Sequence, residues 1–485
     1  MIYSLPYLIL FFFLSGCYNS ESLNLSPPDI ENIPNQWEKK EYQSDYNIEK
    51  IFPIKSDSSL YYLLNEFSQN NKDVLLLDLN KKISQINYKI ENSTLYPEIS
   101  INSSFGSGKQ NFSSFGLDNN PFNSSDNNEE GGDGEGEEDS SLGFSTSSNS
   151  LNLNASWELD VWSRLKNGEQ AAYYNMKSDF YDIIYAENSL KAQFIKLYLK
   201  GVALNKQILI SEKNLNNLSK LKKISKERSL KGISGHDEVH IASANYYLYE
   251  SQLFSLKDEY KNLLSNIDLI LGRYLKSGAI VAYQYPNEIF EIKSEISTNL
   301  LERRPDVLSA REKLSSSKFK LKSDEKIFFP NITLSASAGY SSSELTRLIS
   351  DDLSVWNIGV NIFEPIFNAG KFKNNIKASE YFLEASEIEY MKIAINAIYE
   401  VDRIIQKDAS LKKVYLKISQ SKSDMQRAVD YALNSYELGL VDLIYLLNIQ
   451  DKLYNISIQE NKVLLDRYMN GVDLILSLGG SFEYE

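Results

Sequence analysis

LLERRPDV (300–307), IFFPNITLSASAGY (327–340) and VNIFEPIFNAGKF (360–372) read in turn as a helix entrance, a switch from helix to strand, and a strand that hands over to a long helix. Pro330 ends the helical pattern, because the residue before a proline is pushed out of the α region. Beyond it, apolar residues alternate with Ser and Thr, the period of a strand with two unlike faces.

The same unit occurs earlier in the chain. Tyr96-Pro97-Glu98-Ile99 matches Phe329-Pro330-Asn331-Ile332, and Trp157-Glu158-Leu159-Asp160 matches Phe363-Glu364-Pro365-Ile366. SLKGISGHDEV (229–239) matches YELGLVDLIYL (436–446), setting Gly232 against Gly439. Glu158 to Gly232 spans 74 positions and Glu364 to Gly439 spans 75, so the two halves are one structure built twice. Pro97 to Glu158 spans 61 positions where Pro330 to Glu364 spans 34, which places an insertion of 27 in the first half.

Between the repeated landmarks two periods alternate. EISINSSFGSG (98–108), SLNLNASWELDVW (150–162), NITLSASAGY (331–340) and SVWNIGVNIFEPIF (354–367) have period two and modest hydrophobicity, the signature of barrel strands that meet lipid on one side and water on the other. Val239, Ala242, Tyr246, Tyr249, Leu253, Leu256, Tyr260, Leu263, Ile267 and Ile270 alternate spacings of three and four. Leu190 to Ile208 and Val429 to Leu447 carry the same spacing, so these segments are predicted to be long helices that supercoil in pairs. A further helix is predicted from near Ser59 to about Tyr96.

LLERRPDV, FFPNI, EPIFNAG, the Tyr-Glu-Val at 399–401, YELG and the LGG at 478–480 together resemble the TolC-type outer-membrane efflux factors, in the lipoprotein branch that partners resistance-nodulation-division (RND) pumps. The resemblance covers nearly the whole chain, with its motifs in order. It implies a mainly α with β fold: long antiparallel coiled-coil hairpins forming a periplasmic tube, plus four transmembrane β-strands per chain. Four strands are too few to close a pore. The residues alone call for a partner, and the resemblance supplies a homotrimer with a 12-stranded barrel. The expected function is the exit duct of a tripartite efflux system in the outer membrane, extending into the periplasm. It would passively conduct drugs, metals or other small molecules delivered by an RND-type pump and a periplasmic adaptor. A duct for type I protein secretion, a periplasmic coiled-coil tether and a zinc-binding protein are the competing readings.

The expected organisation is a lipoprotein signal peptide at 1–16, an extended arm at 17–58, repeat 1 at 59–267 with an acidic extracellular loop at 105–148, an equatorial linker at 268–300, repeat 2 at 301–468 and an equatorial tail at 469–485. Residues 2–14 form an apolar run too short to span a bilayer as a helix, ending at Leu14-Ser15-Gly16-Cys17. That ending resembles a bacterial lipobox, and Cys17, the chain's sole cysteine, is the expected lipidation site. This covalent lipid would supplement the barrel's own contact with outer-membrane lipid, and no cofactor is expected. Within 118–141, eight acidic residues from Asp126 to Asp139 are mixed with Gly and Asn, the composition of a solvated loop. Over its 485 residues the chain has 51 basic and 65 acidic residues, for a net charge of −14, a balance that argues against nucleic-acid binding.

In the resembled family the hairpin tips face the periplasm, close the tube at rest and dock the adaptor. Placing these tips ahead of Gly232 and Gly439, near 210–218 and 418–426, makes Ser421, Asp424, Gln426 and Arg427 the gate candidates. A trimeric ring of Asp424 carboxylates would need a counter-charge, for which Lys213 is available. The plain alternative is an exposed, charged helix end. His236 and His240 stand at i and i+4, as zinc ligands could, but His-Asp-Glu-Val-His does not match the HExxH order. The second repeat has Leu443 and Leu447 at the equivalent positions, so the pair is read as incidental, with no metal site and no enzyme active site.

Overall fold

The computed structural model describes residues 58–111, 143–273, 281, 285, 300–349 and 351–480. The signal peptide, Cys17, nearly all of the arm, the acidic stretch 118–141 and most of the linker lie outside the described residues. Helix α1 (Ser58–Asn70) buries Leu60, Leu63, Leu64 and Phe67 at helical spacing, and Phe67 stacks on Phe194 with ring centroids 4.9 Å apart. The single helix expected from Ser59 to Tyr96 is instead two. Asn71 breaks it by capping α2 (Lys72–Ser93), accepting from the Val74 N–H at 3.0 Å.

β1 (Glu98–Asn111) and β2 (Gly143–Leu159) follow, then α3 (Arg164–Leu230) and α4 (His236–Ile270). The second half repeats the order with α5 (Leu300–Arg303), α6 (Pro305–Glu325), β3 (Asn331–Ser342), β4 (Ser354–Phe363), α7 (Lys371–Glu437) and α8 (Leu443–Ser477). Helices α3 and α7 each have 67 residues, and α4 and α8 each have 35. Arg164 and Lys371, Leu230 and Glu437, His236 and Leu443, and Ile270 and Ser477 are all 207 positions apart, so the duplication holds residue for residue through both hairpins. Two expected boundaries move. The β1–β2 ladder continues to the pair Asn111↔Gly143, well inside the loop expected at 105–148, and α8 continues past 468 to Ser477.

The chain forms two compact units. The helical unit comprises residues up to Ser68, Asn188–Val307 and Glu387–Glu485. Three separated sequence motifs meet inside it. Arg304, 3 % exposed, forms a bidentate pair with Asp306 at 3.0 and 2.8 Å, reaches Glu400 at 2.8 Å and donates to the Ser477 carbonyl at 2.8 Å. LLERRPDV, Tyr-Glu-Val and the residues leading into LGG therefore form one buried cluster.

The strand-bearing unit comprises Gln69–Glu187 and Leu308–Ser386. Its helices approach closely through small hydroxyl residues: Ser178 and Ser309 lie 2.9 Å apart, Ser316 donates to the Ala171 carbonyl at 2.8 Å and Ser379 to Asp324 at 2.6 Å. Trp162 stacks on Phe329 at 4.9 Å and donates its indole N–H to the Pro330 carbonyl at 3.0 Å, which secures the helix-to-strand switch. No helix among the described residues is long and apolar enough to cross a membrane.

Candidate functional site

The four strands form one antiparallel sheet in the order β1-β2-β3-β4, paired one to one without a bulge. Residues directly opposite in such a ladder share a face. One face carries the rows Ile99–Ala155–Ala336–Ile358 and Ile101–Leu153–Ala338–Trp356. The other carries Ser100–Asn154–Ser337–Asn357 and Asn102–Asn152–Gly339–Val355. Ile101, Trp356 and Ile358 are 72 %, 77 % and 75 % exposed in the single chain, so no described residue covers the apolar face there. Gly339 is required by close approach, because a Cβ there would lie 2.1 Å from the Leu151 carbonyl oxygen. This is a wall with one face for lipid and one for water.

In the helical unit the two hairpins turn alike. Gly232 and Gly439 adopt positive φ (66° and 78°), and the next N–H in each turn returns to the helix: Ile233 to the Arg228 carbonyl at 2.9 Å and Leu440 to the Ser435 carbonyl at 2.8 Å. This is the glycine-terminated helix end. Asp442 then caps α8, accepting from Tyr445 N–H at 2.7 Å. Behind the turns, Leu218, Leu221, Ala432, Leu443, Leu446 and the fully buried Tyr436 form a common core. Arg228 stacks on the Tyr436 ring at 4.7 Å and donates to its carbonyl at 2.8 Å, while the Tyr436 hydroxyl donates to Glu238 at 3.1 Å. Burial and the Glu238 carboxylate push the phenol up to about 12. One side chain thus links α3, α4 and α7.

The turns at 231–235 and 438–442 correct the expected tips at 210–218 and 418–426. The glycines are themselves the turns, not points on the returning helices. Ser421, Asp424, Gln426 and Arg427 lie inside α7, and Asp424 stands about four helical turns before its end. Arg427 reaches Asp424 at 3.5 Å on the same exposed helix face, and Gln426 donates to Asp430 at 3.0 Å. Lys213 is exposed inside α3. His236 opens α4 and His240 stands one turn further on, and Ser229 Oγ lies 3.1 Å from His236 Nδ1. Among the described residues, no three His, Cys, Asp or Glu side chains stand together as metal ligands. Sequence reasoning missed Arg228 and Glu238. The YELG motif already contained their partner Tyr436.

The family described as "Outer membrane efflux protein" matches residues 63–273 and 296–480, both halves of the duplication. The chain belongs to this family. Its relatives include the cation efflux system protein CusC of Escherichia coli, 24 % identical over 439 residues and covering 87 % of each chain. The pyoverdine export outer membrane protein OpmQ of Pseudomonas aeruginosa is 24 % identical over 339 residues, covering 69 % of this chain and 70 % of its own. Among solved structures, the CmeC outer membrane channel of Campylobacter jejuni has the same fold, with a TM-score of 0.78 at 22 % identity, covering 92 % of this chain and 91 % of its own. As an outer membrane efflux protein, the chain resides in the outer membrane and acts as an exit channel. The sheet is its membrane wall.

Proposed function

We propose that the chain forms a homotrimeric exit duct of a tripartite efflux system, passively conducting small molecules or ions delivered by an inner-membrane RND-type pump through a periplasmic adaptor. The observation that carries this is the two-faced, open sheet. Among the described residues its outer strands β1 and β4 each have an unpaired edge, and four strands cannot enclose a pore. Three antiparallel steps leave β4 running opposite to β1, so β4 can pair with β1 of the next copy in the same antiparallel sense, and three copies close a twelve-stranded wall. The uncovered stripe of Leu76, Leu79, Ile83, Ile86 and Ile90 on α2 has coiled-coil spacing and suits the same neighbour.

Energy comes from the pump, since a polar-lined tube has nothing with which to drive transport. The hairpin turns expose Leu230, Ile233, Leu438 and Leu440, an apolar surface suited to an adaptor. Closure involves the same end, where the Tyr436 link binds three helices in the two-state manner of packed interfaces. Lipid on Cys17 adds an anchor. CusC is named for cations and OpmQ for pyoverdine, and cargo here is set by the pump.

Complementation of a strain lacking the chain tests this reading. Ile358→Lys puts a charge on the lipid face at a cost of about 2–4 kcal/mol and should abolish trimers and export. Asn357→Lys, one residue away on the water face, should retain both. Equal behaviour of the two variants would overturn the reading.

A further inference from the structure

We infer that charge selection in the membrane wall is concentrated in one place, a ring formed by Glu98, Glu158 and Arg164 at the end of the sheet that joins the helices; this rests on the trimeric duct reading. The four strands contain three charged residues, Glu98, Lys109 and Glu158. Lys109 is in odd register with Ile99, Ile101 and Phe105, on the lipid side. Glu98 and Glu158 fall in register with Ser100, Asn102, Asn152, Asn154 and Ser156, on the water side. The remaining positions on that side are filled almost wholly by Ser, Thr, Asn and Gly, which hydrate a passing solute without preference for either sign. Glu98 pairs with Ser156, two residues from Glu158 on the same face, so the two carboxylates are diagonal neighbours with Cα atoms about 7–8 Å apart.

They are not equivalent. Arg164 reaches Glu158 at 2.5 Å from the start of α3, held there by the turn in which Asp160 accepts from the Leu165 and Lys166 N–H groups at 2.9 and 2.7 Å. Glu98 is exposed and forms no ion pair among the described residues. Two carboxylates and one guanidinium leave one net negative charge per chain, three around the ring. Such a ring enriches cations and depletes anions at the helix end of a strand lining that carries no other charge on its water side.

Reversal potentials of single channels in a potassium chloride gradient test the assignment, using the full chain and the variants Glu98→Gln, Glu98→Asp and Arg164→Gln. The unmodified channel should prefer potassium to chloride. One charge acting across about 7 Å of water weighs about one thermal energy, so Glu98→Gln should lower the permeability ratio about threefold. Glu98→Asp should keep the preference, and Arg164→Gln should raise it by freeing Glu158. Opposite shifts cannot both arise from misfolding. Channels that form with the same ratio in all four proteins would overturn the ring and leave the duct standing. Failure of the unmodified chain to form channels would overturn the duct reading itself.

Discussion

Replacing Arg304 with Ala removes the side chain on which LLERRPDV, Tyr-Glu-Val and the C-terminal motif converge. Arg304 is 3 % exposed and serves Asp306, Glu400 and the Ser477 carbonyl at once. Breaking a fully buried charge cluster from one side costs about 3–5 kcal/mol. Asp306 and Glu400 remain 21 % and 35 % exposed, so water can re-solvate both carboxylates and the lower figure applies, about 3 kcal/mol. At about 2 °C per kcal/mol for a large unit, the melting temperature of the detergent-extracted protein should fall by about 6 °C, with scan rate held constant. Arg304→Lys keeps the charge but cannot form the bidentate fork, so it should fall between the two. Melting of Arg304→Ala together with the unmodified protein would refute the claim that this cluster ties the repeats' ends together, and so would Lys failing to recover any of the loss.

Three further outcomes are expected. Tyr436→Phe removes the hydroxyl bond to Glu238 while keeping the ring and its Arg228 contact; the loss is about 1 kcal/mol, read as greater entry of a large antibiotic that the closed outer membrane excludes. Gly339→Ala should sharply reduce assembled trimer, because backbone atoms of Leu151 and Asn152 cannot yield to a methyl group, whereas Gly108→Ala meets open space and should assemble normally. Glu169 concerns acid stability. Burial pushes its carboxyl up, but hydrogen bonds from Lys166, Tyr88 and Gln170 outweigh that and hold it below the usual range. A carboxyl lowered in the folded state stabilises above its unfolded pKa and loses that contribution as pH falls through the folded value, so Glu169→Gln should flatten the decline in melting temperature below about pH 4.5.

The repeat, the strand faces and the paired long helices were legible because each rests on a period that survives in sequence. Residues 98–108 and 331–340 alternate, and the register of the sheet aligns those alternations into rows. The turns were misplaced for a specific reason. Placing the tips ahead of Gly232 and Gly439 overlooks that a glycine at a helix end is itself the stop signal when φ turns positive. The extension of β1 and β2 into Gly, Ser and Asn residues was not legible, because those types have little strand preference of their own and follow the partner strand. Arg304 stood in a recognised motif, but its partners Glu400 and Ser477 lie 96 and 173 positions away, a distance no local pattern reports. Asp424 shows the converse: within one chain its nearest counter-charge is local, Arg427 at i+3 on its own helix.

Native mass spectrometry of the particle extracted in mild detergent from the outer-membrane fraction tests the duct most directly. A particle of three chains, each carrying lipid at Cys17, is the predicted result. A monomer recovered from the soluble fraction would contradict the closed barrel, the shared α2 stripe and the exit-duct function together.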